Sequence, residues 1–197
     1  MGDRTARGLY FTDGSLAELV GILPGCRHRT CASHLPRQSC LASGPLRNPV
    51  QLTSYRLVTD AARNQSWWTL STRVHTEWEF TSSTTDSATV LPLLDISMAP
   101  QQLDNLNRAT QRNTDVTLTV GHQAGSQGAA VKGVHAWWSS NDGKTWEAAQ
   151  MKSTNGVWTA VVKAPKGSGA ISLKAEAWDA AGSRVTEEVT RAYIASN

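Results

Sequence analysis

The stretch WTLSTRVHTEWEF, residues 68–80, decides the fold class of this chain. Its apolar residues, with Thr72 and Thr76, fall on every second position from Trp68 to Phe80. Side chains two residues apart lie on the same face of a β-strand, whereas the apolar positions of a helix repeat near every 3.6 residues. The alternation therefore predicts a strand with one buried face, which ends at the polar run 81–87.

The same alternation recurs towards the end of the chain, about every 12–20 residues, with Gly, Pro, Asn or Asp in between. The apolar sets are Val116/Leu118/Val120, Val134/Ala136/Trp138, Trp158/Ala160/Val162, Ile171/Leu173/Ala175/Ala177 and Val185/Val189/Tyr193. After residue 50 no helix-length pattern with a 3.6-residue period is present. We predict an all-β chain, with a partial β-unit at 51–88 and an antiparallel β-sandwich at 89–197.

Two turns mark the hairpins of this sandwich. In WSSNDGKTWEAA, residues 138–149, Asn141-Asp142-Gly143 is a strong turn signal because glycine adopts positive φ without steric cost. Trp146 follows it and is expected to cover the inner face of the hairpin. Asp179-Ala180-Ala181-Gly182 predicts a second turn by the same chemistry.

Residues 1–50 differ from the rest of the chain. They hold six Arg and three acidic residues, so the whole net charge of +3 lies here, and they contain Cys26, Cys31 and Cys40. The cysteine spacing, interleaved with two histidines and several arginines, matches no paired zinc-knuckle pattern. We predict a poorly ordered leader and linker; a disulfide among the three cysteines stays open. The apolar run 16–23 is interrupted by Glu18, which a signal peptide avoids.

The composition of residues 51–197 argues against two classes of partner. Thirteen basic and thirteen acidic residues balance each other without a Lys/Arg stripe, so nucleic-acid binding has no electrostatic support. No apolar run approaches the length needed to span a membrane. We therefore expect neither nucleic acid nor a membrane span.

The sequence contains one candidate nucleophile, Ser97, in DISMAP (residues 95–100). Ser-Met-Ala before a proline resembles the nucleophile motif of subtilisin-like proteases, but Asp95-Ile96 replaces the Gly-Thr of that motif, and no helix pattern follows. No blocks resembling its acid and base partners occur. Ser97 is predicted to be non-catalytic, and the chain is predicted not to be an enzyme.

No cofactor or metal site is predicted either. His75, His122 and His135 stand at no metal-ligand spacing, and each is expected to be structural or exposed. The pair Glu77/Glu79 shares one strand face and is expected to be solvated, and the glycine-rich segment 121–128 lacks the lysine of a phosphate-binding loop.

The paired tryptophans Trp67-Trp68 and Trp137-Trp138 are the candidates for contact with a ligand or partner. Adjacent residues of a strand point to opposite faces, so each pair is expected to bury one indole and expose the other. Exposed indoles suit sugar stacking or contact with a partner domain, and Trp67 and Trp137 are the candidate contacts.

Residues 53–195 resemble a known family in six segments that occur in order. These are YRLVTDAARNQSWWTLSTRVHTEWEF (55–80), LPLLDISM (91–98), LTVGHQAG (118–125), WWSSNDGKTW (137–146), NGVWTAVVKAP (155–165) and SLKAEAWDAAGSRVTEEVTRAY (172–193). They resemble the C-terminal non-catalytic, immunoglobulin-like region of secreted bacterial subtilisin-like (S8) serine peptidases.

The resemblance implies an extracellular accessory domain that stabilises, spaces or docks substrate for a subtilisin-like catalytic domain in the same polypeptide. It transfers no catalytic residue, and with residues 1–50 unmatched the chain is expected to be a fragment of the full protein. The alternative is a stand-alone carbohydrate- or cell-wall-binding module. SSNDGKTW (139–146) also resembles the Asp-box of sialidases, and the hairpin with AEAWDAAG (175–182) is similar to the dimerisation domain of molybdenum-containing sulfite oxidases.

Overall fold

The computed structural model describes residues 17–20, 52–83, 89–154, 157–165 and 167–196. Apart from a four-residue strand backbone, the predicted leader and its three cysteines lie outside this part of the chain. Every regular element in the described ranges is a β-strand. The strands are β1 (Ala17–Val20), β2 (Thr53–Ala62), β3 (Arg73–Ser82), β4 (Leu94–Pro100), β5 (Thr114–His122), β6 (Val131–Ser139), β7 (Glu147–Ala148), β8 (Gln150–Thr154), β9 (Val157–Val162), β10 (Ala170–Asp179) and β11 (Arg184–Ile194).

The strands form two antiparallel sheets that pack face to face. The larger sheet has the order β1-β2-β3-β11-β10-β6-β7, and the smaller sheet has the order β4-β5-β9-β8. In one sheet β4, β5, β9 and β8 take the places of strands A, B, E and D of an immunoglobulin domain. In the facing sheet β6, β10 and β11 take the places of strands C, F and G, so this part of the chain has the immunoglobulin-type arrangement. The predicted all-β antiparallel sandwich is confirmed.

Strands β2 and β3 belong to the larger sheet, although they lie in the predicted unit 51–88 and the sandwich was predicted to begin at residue 89. β3 pairs with β11 from Arg73 opposite Thr190 to Glu79 opposite Arg184. The indole nitrogen of Trp78 donates a hydrogen bond of 2.8 Å to the carbonyl oxygen of Leu94, the first residue of β4 in the other sheet. Because an isolated two-stranded ribbon is marginally stable in water, the free edge of β11 gives this hairpin the partner it needs.

The core lies between the inner faces of the two sheets, where the alternating positions predicted from the sequence converge. Ile171, Leu118 and Tyr193 are among its most completely buried side chains. Burial raises the pKa of Tyr193 to about 12, partly offset by the Thr114 hydroxyl. The core therefore follows directly from the period of two in the strands of both sheets.

The hairpin between β6 and β7 has the turn geometry that its sequence favours. Asp142 and Gly143 adopt φ values of 58° and 80°, as a type I′ turn requires at its two central positions. The Ser139 hydroxyl accepts the Gly143 amide at 3.0 Å, and the Asn141 side-chain oxygen accepts the Thr145 amide at 3.0 Å. Asn141 therefore stabilises the turn from within.

Trp146 does not cover the inner face of this hairpin, contrary to expectation. Its half-buried indole lies against the turn, where a Cβ atom on Gly143 would come within 3.0 Å of the ring. The ring also lies 5.8 Å from the Lys174 ammonium, which belongs to the outer face of the larger sheet. The long loop before Trp146 turns the ring outward, while Trp138 fills the inner position.

Candidate binding face

The candidate nucleophile Ser97 lies in the middle of β4, opposite Thr119, and its side chain is exposed. In the part of the chain that the structure describes, no hydrogen bond joins it to a histidine. Nucleophilic serines depend on such a base and on a constrained backbone position. The residues around Ser97 supply neither within the described strands.

Two histidines have carboxylate partners that the sequence does not reveal. His75 lies 2.8 Å from Asp60 on the neighbouring strand, and His122 lies 3.0 Å from the buried Asp179. The other oxygen of Asp179 accepts the backbone amides of Ala181 and Ser183 in the turn between β10 and β11.

The second pair has a structural role. The His122 ring lies against Gly128, where a Cβ atom would come within 2.1 Å of it. The pair joins the end of β5 in one sheet to the β10–β11 turn of the other, and Gly182 in that turn has a φ of 89°. Asp179 therefore stabilises the predicted turn and also connects the two sheets.

Glu187 is a half-buried acid that the sequence pattern did not reveal. It alternates with Val185 and Val189 on the inner face of β11, and burial raises the pKa of its carboxyl to about 7. The Thr76 hydroxyl donates a long hydrogen bond of 3.4 Å to it, and the nearby charge of Asp95 raises its pKa further. Its position between Val185 and Val189, two members of the predicted alternating series, was the sequence feature that could have indicated its inward orientation.

The Trp67-Trp68 pair departs from the sequence expectation. Both residues lie in the loop between β2 and β3, and they are 72% and 42% exposed. Pairing of β2 with β3 ends at Ala62 opposite Arg73, so residues 63–72 are not in a strand. The two rings contact each other edge to face at 5.5 Å, and the Arg63 guanidinium lies 5.1 Å above the Trp68 ring.

The Trp137-Trp138 pair divides between the two faces of β6. Trp138 is 5% exposed and lies in the core, whereas Trp137 is half-buried on the outer face. Across the neighbouring strand, Trp137 pairs with Lys174, and Gly133 pairs with Trp178. We call the outward-facing side chains His135, Trp137, Trp146 and Trp178 the aromatic strip.

The backbone of the sheet supports the rings of the aromatic strip. A Cβ atom on Gly133 would lie 2.3 Å from the Trp178 ring, so this indole covers the glycine. The His135 ring lies 4.9 Å from Trp178 and 5.8 Å from Trp137, edge to face in both contacts. The Lys174 ammonium lies 6.0 Å from the Trp137 ring and 5.8 Å from the Trp146 ring. His135 and Lys174 therefore link the three indoles along this face, and Trp178 is packed on the sheet backbone at Gly133.

Ion pairs occupy much of the rest of this outer face, where the exposed Glu79 also lies opposite Arg56 and Arg184. Each basic side chain of the face lies beside a carboxylate on the next strand: Arg56–Glu77, Arg73–Asp60, Lys174–Glu188 and Arg184–Glu176. The hydrogen bond from Arg56 holds the pKa of Glu77 below its ordinary value, and the one from Arg73 does the same for Asp60. The predicted solvation of Glu77 is therefore replaced by pairing with Arg56.

The described residues contain no cluster of three or more His, Cys, Asp or Glu side chains arranged to hold a metal ion. In the same ranges, no helix has the length and apolar character needed to cross a membrane. No protein-family model, curated protein or solved structure matches this chain.

Proposed function

We propose that this chain is a non-catalytic accessory domain of a secreted subtilisin-like serine protease. The observation that carries the proposal is the immunoglobulin-type strand order, with the β2–β3 hairpin joined to its last strand. The six segments that resemble the C-terminal region of those proteases run through both parts, in the same order.

The arrangement of polar groups supports a non-catalytic role. His122 and Asp179 connect the sheets, and Ser97 lies on an exposed strand without a histidine base among the described residues. A domain of this kind contributes stability, spacing or docking, and its function depends on the domain to which it is attached. The partner is a subtilisin-like catalytic domain in the same polypeptide, acting outside the cell.

The stand-alone binding module is the second candidate, and the aromatic strip favours it. Half-buried indoles on a sheet face, with polar groups between them, suit contact with a ligand. An accessory domain that docks substrate for an attached protease would use this face, and so would a stand-alone module that binds a ligand. The two proposals therefore differ in what is attached to the sandwich.

Reading the DNA that adjoins the coding sequence distinguishes these two proposals. We expect the upstream DNA, read in all frames, to encode a subtilisin-like catalytic domain with an intact Gly-Thr-Ser-Met-Ala block. The boundary should lie near residues 41–52, where the unmatched segment ends. A complete signal peptide leading directly into residue 53, with no protease sequence nearby, would contradict the accessory role.

A further inference from the structure

We propose that the aromatic strip binds a neutral polysaccharide built of β-1,4-linked glucose or N-acetylglucosamine units. This inference names a ligand for the outer face of the larger sheet, and it does not depend on which domain is attached. It rests on the support of the rings, on their spacing and on the charge balance around them.

The half-buried indoles of the aromatic strip are ordered by their packing before any ligand binds. Trp178 covers Gly133 and Trp146 lies on Gly143, so one side of each ring is already packed. Side chains that are held in place before binding lose little freedom when a ligand arrives. The electron-rich face of an indole attracts the C–H groups on the flat side of an equatorially substituted sugar ring.

The spacing of the rings fits an extended chain. Trp178 lies over Gly133, and Trp137 stands four residues further along the same face of β6. Because the His135 ring lies 4.9 Å from Trp178 and 5.8 Å from Trp137, the two indoles are at most about 11 Å apart, a distance that an extended chain of sugar units can span. His135 lies between the two indoles, and its ring nitrogens can exchange hydrogen bonds with sugar hydroxyls.

The charges of the face argue against an anionic ligand. The four cations of the outer face, Arg56, Arg73, Lys174 and Arg184, each contact a carboxylate. An anionic polymer or membrane surface would have to compete with these pairs for every contact.

The neighbours of the rings favour a sugar over a protein partner. The centres of protein interfaces are depleted of charged residues, whereas Lys174 lies between Trp137 and Trp146. A hydroxylated ligand can hydrogen-bond to such groups without removing them fully from water.

The test is retention of the purified protein on microcrystalline cellulose and on chitin, the two arms that distinguish the sources of such chains. We expect retention on at least one of them that persists in about 1 M NaCl, where charge interactions are screened within about 3 Å. Trp137→Ala and Trp178→Ala should each weaken binding by about tenfold, a change that corresponds to about 1.4 kcal/mol.

Trp67→Ala is the matched control, because Trp67 is the more exposed indole but lies in the β2–β3 loop. It should bind like the parent, and thermal melts should show that all variants fold. A titration of the parent with soluble cellohexaose or chitohexaose, followed by tryptophan fluorescence, gives a readout that needs no variant; a saturable change is expected.

Three results would overturn the proposal. The first is that the protein is not retained on either polysaccharide and shows no fluorescence change with the soluble sugars. The second is that binding disappears in salt, or that Trp67→Ala weakens binding as much as Trp137→Ala does. The third is capture on casein–agarose, but on no polysaccharide, that requires Trp137 and Trp178, since this would make the strip a protein-binding surface. None of these outcomes bears on whether a protease domain is encoded upstream.

Discussion

Replacing Trp78 with alanine is expected to lower the free energy of unfolding of the sandwich by about 3–5 kcal/mol, as for other buried aromatic residues. The Trp78 indole is buried between the sheets, and its nitrogen donates to the Leu94 carbonyl at 2.8 Å. The substitution removes this hydrogen bond and leaves a cavity at the junction of β3 and β4. Urea denaturation followed by tryptophan fluorescence and by circular dichroism measures the change.

Two control variants distinguish the loss of buried packing at Trp78 from the loss of an exposed indole. Trp78→Phe keeps most of the ring and should cost less, while Trp67→Ala in the exposed loop should change stability by less than about 0.5 kcal/mol. Both probes should report one cooperative transition in the parent. A Trp78→Ala protein with an unchanged main transition would mean that residues 51–88 fold apart from the immunoglobulin-like part.

The second large effect is a dependence of stability on pH that arises from Glu187. Burial raises the pKa of this carboxyl from its ordinary value of 4.5 to about 7. Between these values the folded protein holds a proton that the unfolded chain has released, so stability falls as pH rises through this range. At about 1.4 kcal/mol for each pKa unit, the loss is about 3 kcal/mol when the carboxyl is fully ionised.

Glu187→Gln should remove this dependence. The variant should be more stable than the parent at pH 8, by up to about 3 kcal/mol, and should differ much less at pH 5, where the parent is largely protonated. Urea denaturation at the two pH values measures the difference. Glu188→Gln is the matched control, because the neighbouring carboxylate points to the outer face and contacts Lys174 at 2.8 Å. Equal pH profiles for the parent and Glu187→Gln would show that Glu187 is not the group responsible.

Carboxylates on the outer face and in the β6–β7 turn act in the opposite direction at lower pH. Hydrogen bonds from Arg73, Arg56 and Arg191 hold the pKa values of Asp60, Glu77 and Asp142 below their ordinary range. Their contributions are present above the unfolded pKa and are lost as pH falls through the folded one. Together with Glu187, they predict maximum stability in mildly acidic solution.

The strands could be predicted from the sequence because local alternation determines them. The inner positions of β5, β6, β9, β10 and β11 coincide with the apolar sets identified from the period of two. The turn at Asp142-Gly143 was also predictable, since few residues tolerate positive φ at both central positions. These features depend on neighbours within a few residues.

Features that depend on distant pairing could not be predicted in this way. The packing of Trp178 on Gly133 joins strands far apart in the sequence, and so does the pairing of β3 with β11. The sequence suggested Trp137 as a contact, but it could not show which rings share its face. Glu187 was missed because the alternating series was identified from its apolar members alone, whereas strand register places this carboxyl on the inner face between Val185 and Val189.

The central claim is that this sandwich has no catalytic site of its own, and a fluorophosphonate probe tests it most directly. The purified chain, its Ser97→Ala variant and an active subtilisin-type protease should be incubated with the probe and analysed by intact-mass spectrometry. The account predicts an adduct on the protease alone, with the parent and the variant both unmodified. A stoichiometric adduct on the parent that is absent from Ser97→Ala would contradict it and would make Ser97 a nucleophile.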